Sequence, residues 1–232
     1  MTYYYDSAVS MLLLVVGFVI CIFAQIKISS TYSKYKQVKS SIEKTGEDIA
    51  TDILNRNGLS DIQVNSIAGN LTDHYNPSRK EINLSEDVYG GISIASLAIA
   101  AHECGHAIQK KEKYAFYNMR TALVPVVNII NYVGYFGFFI SLFLGYFQYV
   151  KIAILVVIAT LVFQLITLPV EFNASKRGKQ QLVEMGYITK EEEAGVSKVL
   201  SAAAFTYVAG VISSMLQVLR LILILGRRRG RR

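Results

Sequence analysis

The stretch Ser93-Ile94-Ala95-Ser96-Leu97-Ala98-Ile99-Ala100-Ala101-His102-Glu103-Cys104-Gly105-His106-Ala107-Ile108-Gln109-Lys110 decides how the rest of the chain is read. It is rich in alanine and free of glycine and proline until Gly105, which predicts a buried helix. Residues four apart share a helix face, so the imidazoles of His102 and His106 can reach one metal ion. Glu103 is offset toward the open coordination position, where it can take a proton from metal-bound water. This is the H-E-x-x-H pattern of zinc hydrolases, in which zinc lowers the pKa of water and polarises a scissile carbonyl. Two of the three histidines in the chain are used here. Such a charged set buried without a metal would be costly. Cys104 is turned about 200° from His102 on the same helix, outside the ligand face, and reads as a small packing residue. Gly105 suits a close approach by another backbone or a substrate.

Outward from this helix the chain alternates between polar and apolar blocks. In the polar region 29–120, Val38, Ile42, Ile49 and Ile53 follow a helical period that Gly58 can close. Period-two pieces follow at Ile62 and Val64, Leu71 to Tyr75, and Ile82 and Leu84, separated by Gly69-Asn70 and Asn76-Pro77-Ser78. They predict a small antiparallel β-sheet, after which Ser85, with Glu86 and Asp87 behind it, can cap a helix.

The apolar blocks are long enough for a bilayer, which about 20 apolar residues can cross. Residues 8–28 carry no charge before Lys27, no basic segment before them and no Ala-x-Ala site after them, so they read as a retained transmembrane helix rather than a cleaved leader. The block from Ala122 to Val170 contains Lys151 as its single charge. It fits a transmembrane hairpin, 122–146 and 152–170, with a turn near 146–151. A second polar part follows at 171–200. The stretch 202–225, interrupted by Arg220, is a fourth transmembrane or interfacial helix, and 226–232 form a basic tail.

With 52% hydrophobic and 18% charged residues, the composition argues against an ordinary soluble enzyme. Of the formal charge of +7, five come from Arg227, Arg228, Arg229, Arg231 and Arg232. Basicity confined to a tail suits anionic headgroups or topology control, and no nucleic acid partner is expected. Lys27, Lys34, Lys36, Lys39 and Lys44 follow the first span, and the positive-inside rule places 29–120 in the cytosol. Four full spans would leave the arginine tail on the opposite face. Either the last segment lies in the interface or re-enters, or the tail defies the rule. Two cysteines, Cys21 and Cys104, make no disulfide framework.

Two histidines leave a catalytic zinc one protein ligand short. Glu171, in Leu168-Pro169-Val170-Glu171-Phe172-Asn173-Ala174-Ser175, stands at the end of an apolar run, where an acid is costly unless paired or metal-bound. An acid near the N-terminus of an interfacial helix begun by Pro169 is the alternative reading. His74 either stabilises an oxyanion or lines a substrate strand, or is a structural sheet residue bonded to the backbone.

Asp73-His74-Tyr75-Asn76-Pro77, Leu84-Ser85-Glu86-Asp87-Val88-Tyr89, Ala100 to Gln109, Pro169 to Ser175 and Ser201 to Tyr207 together resemble the YugP-type membrane neutral zinc metallopeptidases. More distantly the chain is similar to HtpX-type membrane proteases. The resemblance implies a mainly α integral membrane protein with a zincin-like H-E-x-x-H helix. It implies one zinc ion per chain, held by His102, His106 and Glu171, with Glu103 as general base. HtpX-type proteins carry an aspartate four residues after the ligand glutamate. Here that place is Ser175, with Asn173 the nearest amide, and either can orient a histidine.

The function expected is a multi-pass cell-membrane zinc metalloendopeptidase of the H-E-x-x-H plus Glu, gluzincin-like kind. Its active site faces the cytosol, and it cleaves protein or peptide substrates associated with the bilayer. A non-catalytic scaffold that keeps a structural metal site is the alternative, though such a site needs no Glu103 and is normally closed by four protein ligands. Hydrolysis of a lipid amide is a third reading.

Overall fold

The computed structural model describes residues 2–144 and 150–229. The turn expected near 146–151 and the end of the basic tail fall largely outside them. The elements run α1 (Thr2–Lys36), α2 (Gly46–Arg56), β1 (Gln63–Ile67), β2 (His74–Asn76), β3 (Glu81–Ser85), α3 (Glu86–Tyr89), α4 (Ile94–Lys111), α5 (Ala115–Leu144), α6 (Val150–Glu184) and α7 (Lys190–Arg229). The chain divides into two compact units, one of Met1–Gln25, Met119–Leu168 and Thr206–Arg232, the other of Ile26–Asn118 and Pro169–Phe205.

In the second unit the local chemistry explains each element. Thr45 and Asp48 form a reciprocal capping box at the start of α2. Gly58, at a φ of +61°, follows its end. The helical period does not extend back to Val38 and Ile42. That segment bends at Val38 and turns at Ile42, with Lys39 in an isolated antiparallel bridge to Ser93 at the approach to α4: Ile94 N–H donates to the Val38 carbonyl, and Ser40 N–H to that of Ile92. Ser93 caps α4 by accepting from Ser96 N–H. Ser85 begins α3 without a side-chain cap; its hydroxyl and N–H are taken by the Asp73 carboxylate.

The sheet has three strands in the order β1-β3-β2. β2 pairs antiparallel with β3, as expected, but β1 pairs parallel with it. β2 is the hairpin partner of β3 and fills one of its edges, so β1 must join the other edge, where the connection runs it in the same direction. The core of this unit packs Ile49, Ile53 and Leu54 of α2 and Ile82 and Leu84 of β3 against Leu97, Ala101 and Ile108 of α4. All of these side chains are at most 3% exposed.

The described residues of the first unit are helical. Among the described residues three helices are long and apolar enough to cross a membrane: Ala8–Lys36, Ile154–Glu184 and Lys190–Ile224. Large apolar side chains such as Phe18 and Leu155 stand about two-thirds exposed, a surface that suits lipid rather than water. The chain is a membrane protein by this measure. α5 is helical over residues 122–144 of the segment expected at 122–146, whose last two residues lie outside the described ones. α7 is continuous to Arg229 and runs antiparallel to α1. Cys21 Sγ lies 3.9 Å from the Ala209 carbonyl, a Cβ on Gly17 would sit 3.0 Å from Ser213 Oγ, and Arg220 Nε donates to Ser10 Oγ at 3.2 Å. α6 does not stop at residue 170. It carries Pro169 inside it and continues to Glu184, because a proline removes one N–H without ending a helix that is supported on both sides. Glu171 is therefore a mid-helix residue rather than an N-terminal one.

Candidate metal centre

α4 and α6 meet with almost no side-chain spacer, and this contact builds the site. A Cβ on Gly105 would lie 2.3 Å from the Ala174 carbonyl oxygen, and one on Gly178 would lie 2.5 Å from that of Ala101. Only glycine allows the two backbones to come this close. Glu171, on α6, is thereby held over the histidine face of α4.

His102 and His106 both turn Nε2 toward Glu171 Oε2, at 3.3 and 3.6 Å. Their rings stand edge to face with centroids 4.8 Å apart. The three ligand atoms lie within 4.8 Å of one another, and among the described residues no other group of three His, Cys, Asp or Glu is so arranged. Glu171 is 2% exposed and His106 7%, so the centre is shielded from bulk water.

The far side of each ring is held as well. Gln109 is fully buried; its Nε2 donates to the Val170 carbonyl at 2.8 Å and to Asn173 Oδ1 at 2.9 Å. Two carbonyl acceptors fix the amide orientation, so Oε1 faces His106 Nδ1 at 3.0 Å and accepts a hydrogen bond from its N–H. A neutral His106 then has a bare Nε2, the state that binds a metal. His102 Nδ1 lies 3.1 Å from Ser175 Oγ. Of the two residues considered for orienting a histidine, Ser175 touches His102 directly, and Asn173 reaches His106 through Gln109. Asn173 is itself held by Arg177 Nε at 2.7 Å, whose Nη1 pairs with Glu112 at 2.6 Å. The part of Gln109 is new relative to the sequence reading. The available signal was an amide three residues after a histidine, on the same face of a buried helix.

Glu103 is 7% exposed. Burial pushes its carboxyl up to about 7, with Glu171 and Asp73 adding to the rise and His102 and the Tyr75 N–H opposing it. Cys104 is fully buried on the opposite side of α4, its Sγ 3.6 Å from the Ala50 carbonyl, and burial pushes its thiol well up. It packs, as expected. His74 lies exposed on β2. Its Nδ1 is 2.9 Å from the Thr72 carbonyl and its Nε2 is 3.2 Å from Asn83 Nδ2, so both ring nitrogens are engaged in or beside the sheet.

The donor set fits zinc: two imidazole nitrogens oriented through their Nδ1 atoms and one carboxylate, three protein ligands as catalytic zinc sites use. The comparisons with known proteins agree. Residues 10–226 match the family described as "Putative neutral zinc metallopeptidase". The chain belongs to this family. It is also 45% identical over 201 residues to "Putative membrane protease YugP" of Bacillus subtilis (strain 168), covering 87% of this chain and 89% of that protein. No solved structure matches the chain.

Proposed function

We propose that the protein is a multi-pass membrane zinc metalloendopeptidase that hydrolyses peptide bonds of membrane or membrane-proximal proteins. The observation that carries this reading is the convergence of His102 Nε2 and His106 Nε2 on Glu171 Oε2, with the buried Glu103 next to the first ligand. His102, His106 and Glu171 hold one zinc ion, in the H-E-x-x-H plus Glu arrangement of gluzincins. Zinc supplies, when bound, a Lewis acid for the scissile carbonyl and a lowered pKa for water. Glu103 accepts the proton of the attacking water and later gives it to the leaving amine. Ser175 and Gln109 keep the imidazoles turned toward the metal through the cycle. His74 serves the sheet.

In this reading α1, α5, α6 and α7 cross the membrane, and residues 29–120 face the cytosol, as the lysines after the first span favour. The antiparallel course of α7 along α1 supports a full last span, with the arginine tail on the side of the N-terminus. The test of the enzyme reading is metal removal. Purified protein should cleave casein, lose cleavage with 1,10-phenanthroline, and regain it with one equivalent of zinc. Cleavage that survives complete zinc removal would sink the reading.

A further inference from the structure

Within the second unit α1 and α7 leave a groove between them that the proteolytic site does not use. Gly195 lets α7 close on α1: a Cβ there would sit 2.9 Å from the Tyr35 ring. Next to this contact the helices part around a cavity of about 670 Å³ lined by Lys27, Lys34 and Lys198 together with hydroxyls of Ser30, Thr31 and Ser201. Among the described residues none of the three ammonium groups is paired with a carboxylate. Lys27 rests over the Phe205 ring at 4.7 Å and Lys34 over that of Tyr35 at 5.7 Å, while the nearby Glu193 is engaged by Lys179 at 3.0 Å. Three cations without a carboxylate partner, with the hydroxyls of Thr31 and Ser201 beside them, supply the donors that a phosphate group takes, and the groove leaves space for more than the phosphate alone.

The height of the groove identifies the source of the phosphate. Lys27 is the first charge after the apolar run of α1, and Ala202 opens the apolar run of α7. The cavity therefore lies where both helices leave the hydrocarbon, at the level of lipid headgroups. Its lysines are exposed on the lipid-facing helices rather than enclosed, so a ligand with an acyl tail can enter sideways. We propose that this groove binds the phosphodiester headgroup of an anionic phospholipid, one per chain, as a site separate from the metal centre. Basic pockets between membrane helices hold headgroups by this chemistry, and each cation adds appreciably to the affinity. The inference rests on α1 and α7 crossing the membrane and is independent of the proteolytic reading.

The test is native mass spectrometry of the full chain released from nanodiscs of phosphatidylcholine and phosphatidylglycerol at 7:3. Wild type should retain one phosphatidylglycerol in preference to phosphatidylcholine. The double variant Lys34→Gln/Lys198→Gln should lose that retention by about tenfold or more, while Lys39→Gln, on a residue outside the groove, should keep it. Both lysines are exposed, so the variant should melt with the wild type in phosphatidylcholine alone, and only wild type should gain thermal stability when phosphatidylglycerol is added. Equal retention by wild type and double variant, or equal retention of the two lipids, overturns the proposal. A second arm adds inorganic phosphate to phosphatidylcholine nanodiscs. A phosphate ion bound there as tightly as the lipid would assign the groove to the free anion and overturn the lipid assignment.

Discussion

Gln109 carries as much of the site's geometry as the ligands it supports. One buried amide sets the tautomer of His106 and ties α4 to the backbone and side chain of α6 on either side of Glu171. Gln109→Leu keeps the volume and removes the bonds. It should weaken zinc binding by about 10- to 100-fold, the usual scale for losing such a support, measured by competition with a chelating dye. Gln109→Glu, which keeps the acceptor toward His106, should recover part of the affinity. Unchanged zinc affinity in the leucine variant would leave the amide with a packing role alone. Ser175→Ala should act in the same direction on His102, less strongly, because it removes one contact instead of three. The meeting of His102 and His106 was legible from spacing, because two histidines four apart need nothing but a helix to converge, whereas spacing left Glu171 open and the resemblance carried it. The supports were not, because which amide meets which ring depends on how closely two helices approach.

That approach belongs to the scale of elements. Gly105→Ala should push α4 from α6, cost about 1–3 kcal/mol in stability and deplete zinc, since the ligands come from both helices. Thermal unfolding and metal analysis of the same preparation check both effects; a variant with wild-type zinc would show that the two backbones can part without moving the ligands. At the start of α2 the Thr45 hydroxyl and N–H draw the Asp48 carboxyl below its ordinary value. A carboxyl lowered in the folded state stabilises it above the unfolded pKa and loses that contribution as the pH falls. Thr45→Ala should thus cost about 1 kcal/mol at neutral pH and clearly less near pH 3. An equal cost at both values would remove the charge from the explanation. The sequence pattern announced α4 and three strand-like pieces near their places, and of the helix that Gly58 closes it announced the part from Ile49 on, the pattern at Val38 and Ile42 being no helix. It did not announce that β1 runs parallel to β3, because period-two alternation marks a strand without giving its direction. Nor did Pro169 mark a helix start: a local rule for termini gave way to the continuity of α6.

At the scale of the whole molecule, charge and apolarity separate along the chain, and this was visible from composition once the residues were located. The sequence left the course of α7 open. Ser10, Gly17 and Cys21 of α1 face Arg220, Ser213 and Ala209 in reverse order, which is the register of a full antiparallel pair. In a variant with Cys21 and Cys104 replaced by alanine, Lys39→Cys and Arg227→Cys should react with a membrane-impermeant maleimide from opposite faces, the second on intact cells. Labelling from one face would make the last helix re-entrant or interfacial. The central claim is narrower than topology: His102, His106 and Glu171 hold the zinc, and Glu103 moves the proton. Zinc content and casein cleavage measured together on wild type and Glu103→Gln test it most directly. The account predicts about one zinc per chain in both, with cleavage lowered at least about 100-fold in the variant. Cleavage at the wild-type rate in a zinc-loaded Glu103→Gln protein would contradict it.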